Sequence, residues 1–371
     1  MTAIFIDAAC ILACFDSAHA STPLTMTHLQ FFELYLIFNQ YPMVKKRLGQ
    51  SGVEVSEITF GAWAIGGWMW GGADRREAID AIHASYHLGV TSIDTAPAYG
   101  QGLSEEIVGE AIKGLDRSKV EILTKFGLRW DTTKGDFFFT STDNMGRPIN
   151  MHKYAAVKAV IRECEESLTR LGTDYIDLYQ IHWPDKTTPV SETMEALNRL
   201  LEQGKIRAAG VSNYPVQSLQ EACKCLTLAS NQVPYSMLNR SIEKDIVPYT
   251  LRKKIAIIAY SPLQRGILTG KIKPGQLFNE GDSRQGNIYY TDENIEKINS
   301  FLDKIKPVAE SKKVSLGQLV IRWTLDQPGI TIVLAGARNR KQAEENARSS
   351  MVTISDTEMN FLNEELNKLQ I

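Results

Sequence analysis

The chain has 371 residues, which at roughly 150 residues per domain allows two domains or one large α/β barrel. Hydrophobic residues make up 43% and charged residues 23%, an ordinary soluble globular composition that excludes intrinsic disorder as the main state. Lys and Arg number 41 against 43 Asp and Glu, a net charge of -2, so no bulk positive field exists to hold nucleic acid or an anionic membrane. Any anionic ligand has to be gripped locally. Five cysteines are too few for a disulfide framework and odd in number, and Cys223 and Cys225 stand two apart in an expected helix, facing opposite ways. These features point to a reducing, cytoplasmic setting.

In chain order, the first segment stands apart. No Lys or Arg precedes Lys45. An apolar run from Ala8 to Phe15, followed by Ala18-His19-Ala20, has the outline of a signal peptide, but the basic n-region is missing and Asp7 and Asp16 interrupt it. The run from Phe31 to Phe38 contains Glu33 and falls well short of the ~20 apolar residues of a membrane span. Residues 1–44 are therefore read as a dispensable or disordered extension, and residues 45–371 as the folded body. Lys45-Lys46-Arg47 reads as its solvated basic start.

The body alternates. Ile58 to Ala64 is a short apolar strand. Asp74 to His87 is a helix with Asp74 as N-cap and Glu77 three residues on. Strand Val90–Ile93, a helix from Ser104 to Ile112 and strand Val120–Leu123 follow. A helix from Lys153 to Leu171, closed by Gly172, precedes strand Tyr175–Ile181. Helix Val190–Gln203, strand Ile206–Val211, helix Val216–Leu226 and the weak strand Ser230–Val233 come next. A helix from Ile242 to Lys253 leads into strand Ile255–Tyr260. A long loop runs to Tyr290, then a helix, helix Ser315–Leu325, strand Thr331–Leu334, and helical patterns at Lys341–Ala347 and Asp356–Leu369. Eight strands separated by helices, with no G-x-G-x-x-G, P-loop or G-x-S-x-G, predict a single (β/α)8 TIM barrel with extra C-terminal helices.

In such a barrel the chemistry sits where strands end. The strand ends here carry Asp94 and Tyr99, Lys125, His182, Ser212-Asn213, Gln232, Tyr260-Ser261 and Gly336 to Arg338. An acid, a phenol, an ammonium and an imidazole at neighbouring ends make a proton-transfer site. A Tyr near pKa 10 is a sluggish acid at neutral pH, an adjacent ammonium lowers that value, and a carboxylate keeps the ammonium charged. An imidazole in reach donates to a carbonyl oxygen as it becomes an alkoxide. His83 and His87 have metal-ligand spacing without a third ligand, so they read as a surface pair and no metal is expected.

These segments carry a resemblance. Asp94-Thr95-Ala96-Pro97-Ala98-Tyr99-Gly100, Leu123-Thr124-Lys125, the run from Ser167 to Leu178, Gly210-Val211-Ser212-Asn213, Tyr260-Ser261-Pro262-Leu263 and Gly336-Ala337-Arg338 together resemble the aldo-keto reductases. In particular they resemble the bacterial and plant subgroup related to potassium-channel β subunits, and the resemblance covers roughly Leu48 to the C-terminus. It implies an NADP(H)-dependent enzyme reducing aldehydes or ketones. By position, Tyr99 resembles the proton donor, Lys125 the residue tuning it, Asp94 the partner of that Lys, and His182 the orienter of the substrate carbonyl. Ser212, Asn213 and Gln232 look like holders of the nicotinamide amide, and Tyr260 like the ring stacked on it. Ser261, Leu263 and Gly266 look like pyrophosphate contacts. Gly336, Arg338, Gln342, Glu345 and Asn346 resemble the adenosine end, where an Arg suits a 2′-phosphate. Gly66 is expected to approach the cofactor, and Trp68, Trp70 and Trp183 to wall a pocket for apolar or aromatic aldehydes. The loops from Arg129 to Asn150 and from Gln264 to Tyr290 are expected to complete that wall, the second folding over the cofactor. The expected partner is a small carbonyl compound, with no nucleic acid and no membrane insertion. A cofactor-sensing regulatory subunit with little turnover is the alternative.

Overall fold

Short apolar runs alternating with helical patterns become strands buried on both faces. The computed structural model describes residues 43–72 and 74–371. The expectations for residues 1–42, including the signal-like run and Cys10 and Cys14, lie outside the described residues. A hairpin comes first, β1 (Lys45–Arg47) antiparallel to β2 (Glu54–Ser56). Next come β3 (Ile58–Gly61), α1 (Arg75–His87), β4 (Ser92–Asp94), α2 (Leu103–Ile112) and β5 (Glu121–Phe126). Then β6 (Leu128–Arg129), β7 (Asp136–Thr142) and β8 (Pro148–Lys153) form a separate antiparallel sheet in the order β6-β8-β7. The alternation resumes with α3 (Val157–Leu171), β9 (Ile176–Ile181), α4 (Val190–Glu202), β10 (Ile206–Ser212), α5 (Val216–Ala222) and β11 (Ser230–Pro234). It continues with α6 (Ile246–Lys253), β12 (Ala256–Tyr260), α7 (Asp292–Ser311), α8 (Leu316–Leu325), β13 (Ile330–Gly336), α9 (Arg340–Ala347) and α10 (Asp356–Asn367).

Eight of these strands close into a barrel in the order β10-β11-β12-β13-β3-β4-β5-β9, every neighbouring pair parallel. They are the eight expected strands. All six residues of β5 and all six of β9 are buried, the pattern of parallel strands packed between a filled barrel and a ring of helices. Local chemistry sets the helix starts. The Asp74 side chain accepts from the Glu77 N–H at 2.9 Å, so α1 begins where the capping pattern placed it. Helix α3 starts at Val157, four residues later than expected, because Lys153 is still in β8 and pairs with Leu128 and Asp136.

Leu48, Val53 and Val55 of the β1–β2 hairpin pack with Leu123, Leu178, Ala208, Ile258 and Ile332 from the barrel strands. The hairpin so plugs the end of the barrel opposite the strand C-termini, leaving those C-termini open. On the outside, α7, α8 and α10 share a second apolar cluster centred on Trp323, whose indole N–H donates to Asn363 at 2.9 Å. Among the described residues no helix is long and apolar enough to cross a membrane, and no group of His, Cys, Asp and Glu has metal-site geometry. His83 instead bonds the Ala111 carbonyl at 2.7 Å through Nε2.

Candidate active site

The strand order decides which side chains meet. Strands β4, β5 and β9 are adjacent, with Asp94 opposite Leu123 and Lys125 opposite Gln180. Asp94 ends β4, Lys125 lies near the end of β5, and His182 follows β9, its N–H extending the ladder to the Phe126 carbonyl at 2.8 Å. Tyr99 comes from the turn after β4, tied by its N–H to Ala96 O and by its own carbonyl to Ser104 N–H, both at 3.1 Å. Lys125 Nζ donates to Asp94 Oδ1 at 2.6 Å, to Thr95 O at 2.9 Å and to Tyr99 Oη at 3.1 Å. The Tyr99 and His182 rings meet edge to face at 5.6 Å between centroids. The four expected residues thus form one contiguous group.

Lys125 is wholly enclosed, Asp94 is 2% exposed and His182 9%. Burial pushes the Asp94 carboxyl up and the Lys125 ammonium down, and their short contact opposes both effects. Burial, then the Lys125 charge, hold His182 well below the ordinary imidazole range, so it is neutral at pH 7. The sequence argument expected Lys125 to lower the Tyr99 pKa. In the structure burial and then the Asp94 carboxylate push the phenol well above its usual value. The reason is that the ring is shielded from water, and Asp94, which holds the ammonium, adds a negative charge beside it.

Above this group a cleft of about 590 Å³ opens, within the usual range for small-molecule sites. Asp94, Tyr99 and His182 line it, as do all the expected cofactor residues except one: Ser212, Asn213, Gln232, Tyr260, Ser261, Leu263, Gly266, Gly336, Arg338, Gln342, Glu345 and Asn346. Trp68, Trp70 and Trp183 line it too. The exception is Gly66. It lies beneath the site, where a Cβ would fall 2.6 Å from the Tyr99 carbonyl, and a Cβ on Gly100 would fall 2.1 Å from Gly66 O. Both glycines are needed so that two backbones can touch and aim Tyr99 at the cleft; Gly66 is not among the residues that line it.

Two amides have duties the sequence did not reveal. Gln232 Nε2 donates to Asp94 Oδ2 at 2.8 Å, so Lys125 and Gln232 together satisfy both carboxylate oxygens. Asn213, at φ +60°, donates to His182 O at 3.0 Å and accepts from Tyr260 Oη at 2.9 Å. The expected loop from Arg129 to Asn150 contains most of the β6–β8 sheet. Phe138 and Phe139 of β7 line the cleft, Phe139 stacked on Trp68 at 6.2 Å and Phe138 5.1 Å from Trp183. The run Phe137 to Phe139, a turn at Asp143 to Gly146 and the apolar residues Ile149 and Met151 were a hairpin signal that could have been read. Trp63, Arg265 and Arg284 also line the cleft and were not singled out. The loop after β12 lines the cleft and binds the loop after β3 through Ser283 N–H to Met69 O at 3.1 Å.

A parallel eight-stranded barrel with a Tyr, Lys, Asp and His group at its open end beside a long cleft defines a class of barrel oxidoreductases. The aldo/keto reductase family matches residues 57–367, and the chain belongs to that family. Its similar relatives include the aldo-keto reductase YhdN of Bacillus subtilis, 37% identical over 85% of this chain and 91% of that protein. The NADH-specific methylglyoxal reductase of Escherichia coli is 34% identical over 88% of this chain and 100% of its own. The "Probable voltage-gated potassium channel subunit beta" of Arabidopsis thaliana is 31% identical over 83% of this chain and 91% of its own. Among solved structures, a glycerol dehydrogenase from Gluconobacter oxydans superposes with a TM-score of 0.78 at 35% identity, covering 88% of this chain and 95% of that one. An aldo-keto reductase from Klebsiella pneumoniae in complex with NADPH gives 0.64 at 28% identity, covering 87% and 95%.

Proposed function

We propose that this chain reduces aldehydes or ketones to alcohols with NADPH, Tyr99 giving the proton. The observation that carries the reading is the buried Lys125 ammonium bridging Asp94 and Tyr99, both of which line the cleft. The donor set suits a nicotinamide dinucleotide. Ser212, Asn213 and Gln232 offer hydroxyl and amide groups for a carboxamide, and Tyr260 offers a ring. Beyond them Ser261, Leu263 and Gly266 line the cleft on a turn whose residues Gln264, Arg265 and Gly266 all have positive φ, and the Ser261 hydroxyl offers a donor to a phosphate. At the far end the N-terminus of α9, with Gly336, Arg338, Gln342, Glu345 and Asn346, suits the adenosine side, and the Arg338 guanidinium favours a 2′-phosphate and hence NADP(H).

The bound nicotinamide supplies the hydride. The protein handles the proton and the developing charge. Neutral His182 donates a hydrogen bond to the substrate carbonyl oxygen and orients it. The Tyr99 phenol then transfers its proton to that oxygen, and the Lys125 ammonium 3.1 Å away stabilises the phenolate left behind. Asp94 and Gln232 hold Lys125 in place. Trp68, Trp70, Trp183, Phe138 and Phe139 favour an apolar or aromatic body on the substrate. The free cysteines Cys164, Cys223 and Cys225 suit a reducing compartment.

The test is loss of NADPH absorbance with a panel of aldehydes, run on the natural chain and on Tyr99→Phe. Turnover is expected in the first and a fall of roughly 10²–10⁴-fold in the second, with NADPH binding retained. NADPH binding without turnover on any carbonyl would favour the cofactor-sensing subunit instead.

A further inference from the structure

The tip of the β7–β8 hairpin reaches the turn that carries Tyr99. Asn144, in that tip, donates from Nδ2 to the Gly66 carbonyl at 2.8 Å, across 78 positions of sequence. Gly100 packs against the same carbonyl, and a Cβ on Gly100 would also fall 3.0 Å from Asn144 Nδ2. Gly66 in turn lies against the Tyr99 carbonyl, as its missing Cβ shows. Three segments therefore meet at one oxygen: the loop after β3, the turn after β4 and the hairpin tip. On its other side the turn is fixed by Ser104, whose N–H donates to Tyr99 O at 3.1 Å and whose hydroxyl donates to Ala62 O at 2.8 Å.

The tip is built to hold Asn144 still. Asp143 Oδ1 accepts from the Met145 and Arg147 N–H groups, each at 2.9 Å, and Oδ2 accepts from Arg147 Nε at 2.7 Å. The hairpin has a second tie to the loop after β3, the Trp68 indole N–H to Ser141 Oγ at 3.1 Å. The two ties have different targets. Ser141 holds a ring of the pocket wall, whereas Asn144 holds the backbone beneath the proton donor. Asn144 is exposed and is not among the residues that line the cleft, so any effect it has on the reaction passes through another residue. Water could replace its amide at the Gly66 carbonyl, but water is not tethered to the hairpin and would satisfy the bond without fixing the position. Position matters here, because a displacement of about 1 Å at a reacting group can cost up to about 10²-fold in rate.

We propose that Asn144 is a positioning residue for Tyr99, setting through Gly66 and Gly100 where the phenol stands. The proposal rests on the carbonyl-reductase reading. It gives the β7–β8 hairpin a part in proton transfer besides its part in the pocket wall.

The experiment follows single-turnover oxidation of NADPH by the full chain with the fastest aldehyde of the panel, which reports the chemical step apart from product release. Asn144→Ala is expected to slow that step roughly tenfold, with the NADPH Kd, the half-saturating aldehyde concentration and the thermal midpoint unchanged. Asn144→Asp keeps the shape but turns an acceptor toward the carbonyl, and should be slowed at least as much. Ser141→Ala should instead raise the half-saturating aldehyde concentration and leave the single-turnover rate as it was. In a Tyr99→Phe background Asn144→Ala should slow the residual rate no further, since the group it positions is gone. An unchanged single-turnover rate in Asn144→Ala overturns the proposal. So does the same tenfold loss in the Tyr99→Phe background, or an equal loss in Ser141→Ala. A lowered thermal midpoint accompanying the slower rate also overturns it and makes Asn144 a brace of the fold. The carbonyl-reductase reading fails separately, and takes this role with it, if the unaltered chain oxidises NADPH with no aldehyde.

Discussion

Lys125 shows how one side chain answers to stability and chemistry at once. It is fully enclosed, yet its three donors each have an acceptor, in Asp94, Thr95 and Tyr99. Removing it leaves the Asp94 carboxylate buried with Gln232 as its remaining partner, and breaking a buried pair on one side costs about 3–5 kcal/mol. Lys125→Met is therefore expected to lose both turnover and stability, whereas Tyr99→Phe loses turnover and keeps its unfolding midpoint. Urea unfolding of the two variants beside their NADPH turnover checks this; equal stability in both would remove the structural half of the argument. Asp94, Lys125 and His182 were legible as polar residues at or just past the end of an apolar strand, and Tyr99 as the phenol in the turn that follows one. The Gln232 bond to Asp94 was not legible, since the two residues lie 138 positions apart and meet only across the barrel.

At the scale of elements, the β6–β8 sheet walls the pocket and is fastened by charge. Arg129 of β6 is buried against Glu163 and Glu166 of α3, with Asp131 completing the cluster. Glu163 also accepts from the Gly127 N–H through both oxygens, at 3.3 and 3.2 Å. Burial pushes the Glu163 carboxyl up from 4.5 to about 7 against the pull of Arg129. A carboxyl raised on folding holds its proton longer in the folded state, so its contribution to stability is complete below about pH 4.5 and is lost as pH rises through about 7. Glu163→Gln removes that dependence. Relative to the natural chain, the variant is expected to gain stability between about pH 5 and pH 8, by up to about 3 kcal/mol. Urea unfolding at both pH values measures it; a difference that shrinks as pH rises would show that the ion pair with Arg129 outweighs burial. The sheet itself was missed because its strands are short and half exposed, and their pairing is antiparallel in a chain otherwise ruled by parallel strands and helices.

For the whole molecule, the barrel is plugged at one end and open at the other. The β1–β2 hairpin fills the closed end with Leu48, Val53 and Val55, and Lys45 reaches Glu121 at 2.5 Å. The folded body therefore makes use of the chain from Met43 onward. A chain beginning at Met43 is expected to keep its NADPH-dependent turnover and its thermal midpoint. A large loss of either would give residues 1–42 a role in folding or catalysis.

The architecture, and the four polar residues that group at the open end of the barrel, were readable from the chain alone. Eight apolar runs separated by amphipathic helices admit few arrangements, and parallel strands place their polar C-terminal residues at one end. Many of the cleft-lining residues were readable too, since they follow the same strand ends. The folded arrangement was needed to show that Gly66 packs against the Tyr99 carbonyl, that burial and then Asp94 raise the phenol pKa which Lys125 was expected to lower, and that Arg265 lacks the carboxylate its neighbour Arg284 has. These outcomes depend on distances of a few ångströms between segments far apart in the chain. Hydrophobic periodicity carries information about which face of an element is buried, and none about which polar atoms meet once it is.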